Sequence, residues 1–311
     1  MWAYIVRRLA WLPFLLLAVS FITFTLGRFG PGDPVIVILG NRYDPDSQVT
    51  KNLRHELGLD RPFHVQYVDY VWNFVQGDFG ESLRFRGQPV KGLILQKMWV
   101  SAQLAIAAMI VAVSVGLPLG FWIAHRQGRW QDPATVTLAL ALMSIPIMVS
   151  VPGLLWVFCL KLHWVPCSGW GGFFDVRILV PAITMGVPGI AGFVRLMRAS
   201  TLDVLGQDFI RTAKAKGLNS STVESRHVAR NAMIPIITIL SFSLAGLISG
   251  SFIVETILGV PGIGRFAVES VFNRDYPVIM AVTLIAASAF VLANLAADIG
   301  YAYVDPRIRY N

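Results

Sequence analysis

Long apolar stretches without a charged residue alternate with polar stretches along the chain. Six runs contain no Asp, Glu, Lys or Arg, and their lengths range from 17 to 28 residues: 9–27, 98–124, 133–160, 178–194, 231–254 and 276–297. A helix of about 20 apolar residues crosses the roughly 30 Å hydrocarbon core of a bilayer. The pattern therefore predicts an all-α polytopic membrane protein with six transmembrane helices.

The charged residues are confined to the segments between these runs. The runs comprise 137 of the 311 residues, so all 44 charged residues fall in the other 174, which are about 25% charged. That fraction is ordinary for protein in contact with water. The chain therefore alternates between aqueous and hydrocarbon surroundings, which excludes a soluble enzyme. The lipid bilayer is its expected partner, and no nucleic-acid partner is expected.

Basic residues indicate how the chain is oriented. With both termini in the cytoplasm, the cytoplasmic segments carry 13 Lys and Arg residues, whereas the short outer loops carry four. The outer segment 28–97 is left out because its 70 residues exceed the length over which the positive-inside rule applies. We therefore predict that both termini are cytoplasmic.

Two polar segments are large enough to have structure of their own. Residues 1–27 are assigned to the N-terminus and first span, and residues 28–97 to an extracytoplasmic cap. Residues 98–311 form the remaining membrane core, in which the polar segment 195–230 lies on the cytoplasmic side. The cap is expected to lie on the outer surface, and the segment 195–230 is the only other sizeable polar segment.

The cap is predicted to be helical. Apolar residues recur at helical spacing after Asp46-Ser47 and stop before Gly58, which is typical of a capped helix. A second helix is predicted to begin at Pro62 and to end at Gly77.

The predicted spans contain no ionisable side chain that could couple transport to an ion gradient. Such groups at membrane depth are costly and mark proton relays or ion pathways, but Glu255 and Asp298 only border the runs and all five histidines lie outside them. A secondary carrier and a membrane-embedded hydrolase are therefore disfavoured. His55-Glu56 lacks the second histidine of a zinc-protease motif, with Leu59 in its place, so neither a metal site nor a catalytic residue is predicted.

An ATP-driven transporter requires a phosphate-binding loop. Neither Gly-Lys-Ser nor Gly-Lys-Thr occurs in the chain. ATP and Mg²⁺ would therefore be bound by partner subunits, and the chain itself is predicted to be neither an enzyme nor a holder of a cofactor. Such a partner needs a cytoplasmic docking element, for which the segment 195–230 is the candidate.

Two short capped helices are predicted within 195–230. Asp208 is expected to N-cap the first helix, and Gly217 to end it in the left-handed conformation. Ser221 and Glu224 fit a capping box that opens the second helix. Together these features predict a rigid protrusion into the cytoplasm.

Two small residues favour close approach of a partner surface to this protrusion. They are Ala213 and Ala215, which the first helix carries two positions apart. The alternative is a basic amphipathic loop, with seven basic and three acidic residues, that the positive-inside rule keeps in the cytoplasm.

The same segment resembles the coupling motif of binding-protein-dependent ABC permeases of the dipeptide/oligopeptide subfamily. The similar residues are Gly206-Gln207-Asp208-Phe209-Ile210-Arg211-Thr212-Ala213-Lys214-Ala215-Lys216-Gly217, followed by Arg226-His227 and Arg230-Asn231-Ala232-Met233-Ile234-Pro235. The wider importer signature begins Glu-Ala-Ala and has Leu-Pro thirteen positions after its glycine. Here Arg211-Thr212-Ala213 replaces that opening, and Pro235 falls eighteen positions after Gly217, which matches the peptide branch.

The resemblance extends over nearly the whole chain. Its further blocks, in the expected order, are Tyr4-Ile5-Val6-Arg7-Arg8, Pro31-Gly32-Asp33-Pro34, Glu56-Leu57-Gly58-Leu59-Asp60-Arg61-Pro62, Gly77-Asp78-Phe79-Gly80-Glu81-Ser82, Pro261-Gly262-Ile263-Gly264-Arg265, Arg274-Asp275-Tyr276-Pro277 and Asp305-Pro306-Arg307-Ile308-Arg309. The long cap after the first span is similar to that of the first of the two permease subunits in such transporters.

The resemblance implies a type I ABC importer permease fold in the bacterial cytoplasmic (inner) membrane. It implies a second homologous permease subunit, two ATP-binding subunits and an extracytoplasmic solute-binding protein. Residues 208–217, called the coupling segment below, would lie in a groove of an ATP-binding subunit. The residues assigned to that contact are Asp208, Phe209, Arg211, Thr212, Ala213, Lys214, Ala215, Lys216 and Gly217.

The solute implied by this subfamily is a short peptide. Similar permeases serve nickel chelates, glutathione and certain oligosaccharides, and these alternatives stay open because much of the selection can reside in the binding protein. Candidates for lining the pathway are Ser144, Ser150, Ser241, Ser243, Ser249 and Glu255. Each serine could equally bond a carbonyl of its own helix, and Glu255 could instead pair with Arg265.

Two further patterns leave alternatives open. Gly116 and Gly120 permit close helix approach in lipid, with packing inside the chain favoured over a contact between subunits. Cys159 and Cys167 lie on the side where a disulfide could form, but a free, partly buried pair is the favoured interpretation.

Overall fold

The computed structural model describes residues 2–29, 33–237, 239–240 and 250–304, with the side chains of 2–9 and 293–304 left out. Helices account for nearly all the regular structure in these residues, because a backbone in hydrocarbon must satisfy its hydrogen bonds internally. The helices are α1 (Trp2–Phe29), α2 (Pro34–Leu39), α3 (Gln48–Glu56), α4 (Phe63–Val75), α5 (Val90–Ala124), α6 (Gln131–Met143), α7 (Ile147–Leu155), α8 (Leu179–Leu205), α9 (Asp208–Ala215), α10 (Ser220–Thr222), α11 (Phe252–Ile257), α12 (Ile263–Phe272) and α13 (Tyr276–Val304).

The chain divides into two compact units. The first comprises residues 1–101, 248–252 and 261–311, and the second comprises residues 102–247 and 253–260.

Several of these helices are long and apolar enough to cross a membrane. Among the described residues, Ala10–Phe29, Val90–Ala124 and Val176–Leu205 qualify alone. The pair Gln131–Met143 and Ile147–Lys161 qualifies together, although a bend of 92° separates its halves. A shorter apolar helix, Tyr276–Leu292, occupies the sixth predicted run. Ten of the 24 residues of the fifth run, 231–254, lie outside the described part of the chain, so the number six stays a prediction.

The two predicted helices of the cap are confirmed within the first unit. Helix α3 begins after Ser47, whose side chain accepts a hydrogen bond from the Thr50 backbone N–H at 3.2 Å. Helix α4 begins directly after Pro62. Gly58 and Gly77 follow the two helix ends at φ values of +63° and +77°, in the left-handed region that glycine tolerates best.

Helix α4 packs along α1 through aromatic side chains. Phe63 contacts the ring of Phe29, with 5.5 Å between ring centroids, and Tyr67 contacts that of Phe21 at 5.4 Å. Further along, the Tyr67 hydroxyl donates to the Leu17 carbonyl at 3.0 Å. These contacts place α4 antiparallel to α1, so α4 is anchored on the C-terminal half of α1.

A buried carboxylate fixes the segment after α4 to the start of α13. Asp275 is 1% exposed and accepts hydrogen bonds from the Ser82 hydroxyl at 2.5 Å and the Leu83 backbone N–H at 3.1 Å. Several hydrogen bonds to a buried carboxylate offset part of the cost of removing it from water. The bond joins positions 193 residues apart and therefore holds a loop of the cap against the last long helix.

In the second unit, α5 and α8 approach each other at glycines. A Cβ atom at Gly120 would lie 2.6 Å from the Val194 carbonyl oxygen, and one at Gly116 would lie 2.7 Å from the Phe193 Cβ. On α8, a Cβ at Gly186 would lie 2.8 Å from the Ala108 carbonyl oxygen. The Gly116 and Gly120 pattern therefore packs within the chain, as the sequence favoured.

The expectation that the two cysteines are free is wrong. Cys159 and Cys167 are joined by a disulfide, with 5.3 Å between their Cα atoms, a separation within the normal range. The π-helical turn Trp156–Lys161 continues α7 and carries Cys159, and the chain then reverses. That reversal brings the second cysteine back to the first, which spacing along the sequence does not reveal.

The glycine contact yields a stability prediction. Gly120→Ala should destabilise the protein by about 1–3 kcal/mol, because the added methyl group overlaps backbone atoms of α8 that have no room to move. Gly153→Ala is the matched control, since it also lies inside a helix and a Cβ there meets nothing within 4 Å. Thermal unfolding of the purified variants in detergent measures both effects. Equal melting temperatures for the two variants would contradict the packing.

Candidate functional site

The coupling segment is carried on the end of a long helix. Helix α8 continues past the charge-free run 178–194 and ends at Leu205, where Gly206 and Gln207 form a turn. Helix α9 then begins at Asp208. The segment is thus attached to the last turns of a span by only two residues, which limits how far it can move independently of α8.

One face of α9 is buried against the same chain. Ile210 is 1% exposed and Ala213 is 7% exposed, and both pack in a small core with Val223 and Val228. The apolar pair stands three residues apart, on one side of the helix. This core fixes the orientation of α9 on its support.

The opposite face of α9 is exposed. Phe209, which is 44% exposed, stands beside Arg211, Lys214 and Ala215, which are exposed as well. Arg211 lies 3.7 Å from Asp208 in a solvent-exposed ion pair, and such pairs contribute little to stability. The segment therefore presents basic groups and an aromatic ring outward while its apolar residues stay inside.

The C-terminal end of α9 lies where the sequence predicted it. Gly217 has a φ of +77°, and its backbone N–H donates to the Lys214 carbonyl at 3.0 Å. The prediction that Gly217 ends the helix in the left-handed conformation is confirmed.

Three details of the predicted protrusion are wrong. Asp208 is the first residue of the helix, and Gln207 occupies the N-cap position without a side-chain hydrogen bond. The predicted capping box is absent, because Asn219 caps α10 and the helix starts at Ser220. Ala213 is buried in its own chain, so a partner cannot approach it.

Helix α9 packs on a helical segment, called its support below, whose hydrogen-bonding pattern changes along its length. Helix α10 continues as the π-helical segment Val223–Ala229 and then as Arg230–Ala232. The Ser200 hydroxyl on α8 donates to the Ala232 carbonyl at 2.8 Å in a buried position. Ala232 also packs in the core that joins α5 to α8, so the support of α9 is connected to the spans.

The structure describes three of the six predicted pathway residues, Ser144, Ser150 and Glu255. Ser144 donates to the Leu140 carbonyl at 2.8 Å, and Ser150 to the Ile147 carbonyl at 3.3 Å, so both bond their own helix. Glu255 is fully buried in α11, and Arg265 bonds Glu269 at 2.6 Å. The remaining candidates, Ser241, Ser243 and Ser249, lie outside the described residues. A pathway role for these residues stays a prediction.

Ser150 borders an apolar groove between α6, α7 and α8. The groove has a volume of about 370 Å³, and its lining includes Val149, Thr184 and Pro188. The groove lies beside the bend between α6 and α7.

Sequence reasoning missed the residues that hold the coupling segment in place. Ile210 was read only as part of a similar motif, although its spacing from Ala213 is a signal for a buried face.

Models of two protein families match the chain. Residues 116–310 match "Binding-protein-dependent transport system inner membrane component", and residues 1–106 match the N-terminal model of the same kind of component. Together these matches include every residue of the coupling segment.

Individual proteins are similar over the full length. The chain is 37% identical over 316 residues to the probable peptide ABC transporter permease protein y4tP of Sinorhizobium fredii, covering 100% of both chains. It is 38% identical over 307 residues to the glutathione transport system permease protein GsiC of Escherichia coli, covering 99% of both.

Two solved structures share the fold. The crystal structure of an amino acid ABC transporter with histidines aligns with a TM-score of 0.50 at 16% identity, covering 70% of this chain and 94% of that one. The inward-facing MetNI methionine ABC transporter aligns with a TM-score of 0.52 at 14% identity, covering 70% and 97%. At such identities the likeness shows the fold alone.

Proposed function

Since this chain belongs to the family of binding-protein-dependent transport system inner membrane components, we propose that it forms half of a translocation pathway for short peptides. The protein is a multi-pass permease subunit of an ABC importer. Its family implies ATPase partners and an external solute-binding protein. In the proposed assembly, one further permease subunit completes the pathway and two ATP-binding subunits bind on the cytoplasmic side.

The observation that carries the proposed coupling is the two-faced α9. Its inward face is fixed by Ile210 and Ala213, and its outward face offers an aromatic ring and basic side chains. A helix fixed on one side and exposed on the other is suited to docking in a groove of a partner. The outward residues would contact an acidic rim of that groove, so closure of the ATPase pair would displace α9 and the end of α8.

ATP and Mg²⁺ are assigned to the partner subunits. This chain contains no Gly-Lys-Ser or Gly-Lys-Thr sequence, which the common phosphate-binding loop requires. Its own contribution is therefore mechanical, because it converts displacement of the coupling segment into a change in the packing of its spans.

The names of the similar proteins support a peptide as the solute. One relative is named a probable peptide permease and the other a glutathione permease. Glutathione is itself a modified tripeptide, so both names describe solutes with amide bonds and charged ends. Glutathione is the second candidate solute, and a nickel chelate or an oligosaccharide has no support from these names.

Both termini are proposed to lie in the cytoplasm, and the charge asymmetry of the loops supports this orientation. Alkaline phosphatase joined after residue 87, in the outer segment, should be active. The same enzyme joined after residue 311 should be inactive, whereas a green fluorescent protein there should fluoresce. The reverse pattern would contradict the orientation.

Disturbing the end of the coupling segment should separate insertion from coupling. Gly217→Val places a β-branched residue at φ +77°, which costs on the order of 1–2 kcal/mol and distorts the turn. We expect normal membrane insertion but at least a tenfold loss of solute-stimulated ATPase activity in reconstituted vesicles. Gly87→Val is the matched control, because Gly87 has a φ of +73° and both sites have open space around a Cβ. Full stimulated activity of Gly217→Val would contradict the proposal.

The solute can be identified through the binding protein that co-purifies with the assembly. We expect that protein to bind dipeptides and tripeptides and to support their ATP-dependent uptake into vesicles. The matched panel contains glutathione, a nickel chelate and an oligosaccharide. Uptake of the nickel chelate or the sugar alone would contradict the peptide assignment, and uptake of glutathione alone would restrict it to that tripeptide.

A further inference from the structure

An ion pair joins two helices of the second unit close to the coupling segment. Both carboxylate oxygens of Asp132, on α6, accept hydrogen bonds from Arg198, on α8, at 2.5 Å from Nε and 2.6 Å from Nη2. This bidentate pairing, called the fork below, fixes the relative orientation of the two side chains, whereas a single contact does not. Residues 66 positions apart are thereby joined.

The pair is largely shielded from water. Asp132 is 5% exposed, and the Arg198 side chain is 29% exposed. A shielded pair of this kind is screened by salt less than an exposed one, and loss of one partner leaves the other charge without compensation.

The position of the pair relates it to the coupling segment. Asp132 is the last charged residue before the run 133–160, and Arg198 follows the run 178–194. From Arg198, α8 continues for seven residues to Leu205, which is about 10 Å at the rise of an α-helix. The pair therefore lies at the edge of the membrane, at the base of the helical end that carries α9.

Other contacts hold α8 on a different side. Met197 and Phe193 pack with Leu117 and Ala232, and Ser200 donates to the Ala232 carbonyl. Apolar contacts of this kind resist separation but allow small sliding and rotation. The fork between Asp132 and Arg198 is directional, so it adds resistance to rotation of α8 against α6.

We infer that Asp132 and Arg198 are positioning residues whose ion pair makes α6 move together with α8 when a partner displaces the coupling segment. Helix α6 ends at Met143, and a bend of 92° separates it from α7. That bend lies at Ser144, Ile145 and Pro146, where the helical hydrogen bonding is interrupted. The inner half of the third span can thus follow α8 without forcing the outer half to move by the same amount.

This inference rests on the proposed function, because it assigns the two residues to the transfer of motion in an importer. It makes a prediction that a purely structural role does not make. Weakening the pair should lower the amount of solute taken up per ATP hydrolysed, while the ATPase subunits stay bound and continue to hydrolyse ATP.

The experiment uses the complete assembly in vesicles, with its binding protein and a dipeptide as the solute. Asp132→Asn and Arg198→Lys remove the fork, the first by removing a charge and the second by removing the planar geometry. We expect the ratio of uptake to ATP hydrolysis to fall at least fivefold for Asp132→Asn and at least twofold for Arg198→Lys. The exchange Asp132→Arg with Arg198→Asp should recover at least a third of the original ratio.

The control breaks an exposed ion pair. Asp69→Asn removes the partner of Arg61 in the cap, where both side chains are more than half exposed and the atoms lie 3.2 Å apart. This change should leave the ratio as it is in the unchanged protein.

The possible outcomes distinguish a failure of the inferred role of the ion pair from a failure of the proposed function. An unchanged ratio of uptake to ATP hydrolysis in Asp132→Asn would overturn the inference. Loss of assembly in both single variants, without recovery in the double exchange, would also overturn it, because the pair would then have a purely structural role. Unaltered protein that takes up none of the solutes in an ATP-dependent manner would instead overturn the proposed function, and the inference with it.

Discussion

The hydrocarbon core of a bilayer cannot hydrogen-bond a backbone N–H or C=O group, and it cannot solvate a charge. This constraint accounts for the long uninterrupted helices α1, α5 and α8. It also accounts for the confinement of charged residues to the segments between the apolar runs. The charges that position one helix against another must then act at the ends of the spans.

Contacts inside the membrane depend instead on shape. Because lipid tails are as apolar as leucine, helices in a bilayer gain little from burying apolar side chains against each other and associate through close packing. The glycines of α5 and α8 provide that packing in the second unit, where a single added methyl group would overlap backbone atoms of the facing helix. The two helices are therefore closely packed against each other, and α9 is attached to the end of α8.

Charged and polar groups at the helix ends complete the arrangement. Asp275 holds a loop of the cap at the start of α13, and Asp132 bonds Arg198 at the base of the helical end that carries the coupling segment. Both carboxylates are nearly excluded from water, so each is stabilised by donors held in place by the fold. Under the proposed function, stiffness at such points would determine how much of a partner's displacement reaches the spans.

The sequence by itself determined the features that depend on neighbours along the chain. Charge-free runs and helical spacing predicted the spans that the structure describes and the two cap helices, and Gly217 was identified as a helix end because only glycine readily adopts its backbone conformation. Local patterns failed where a choice depended on distant residues. Asp208 was predicted to precede the helix, but Gln207 occupies that position, and the burial of Ala213 depends on Val223 and Val228. The disulfide and the pairing of Asp132 with Arg198 likewise required the tertiary structure, because each depends on a path of the chain through space that residue spacing does not encode.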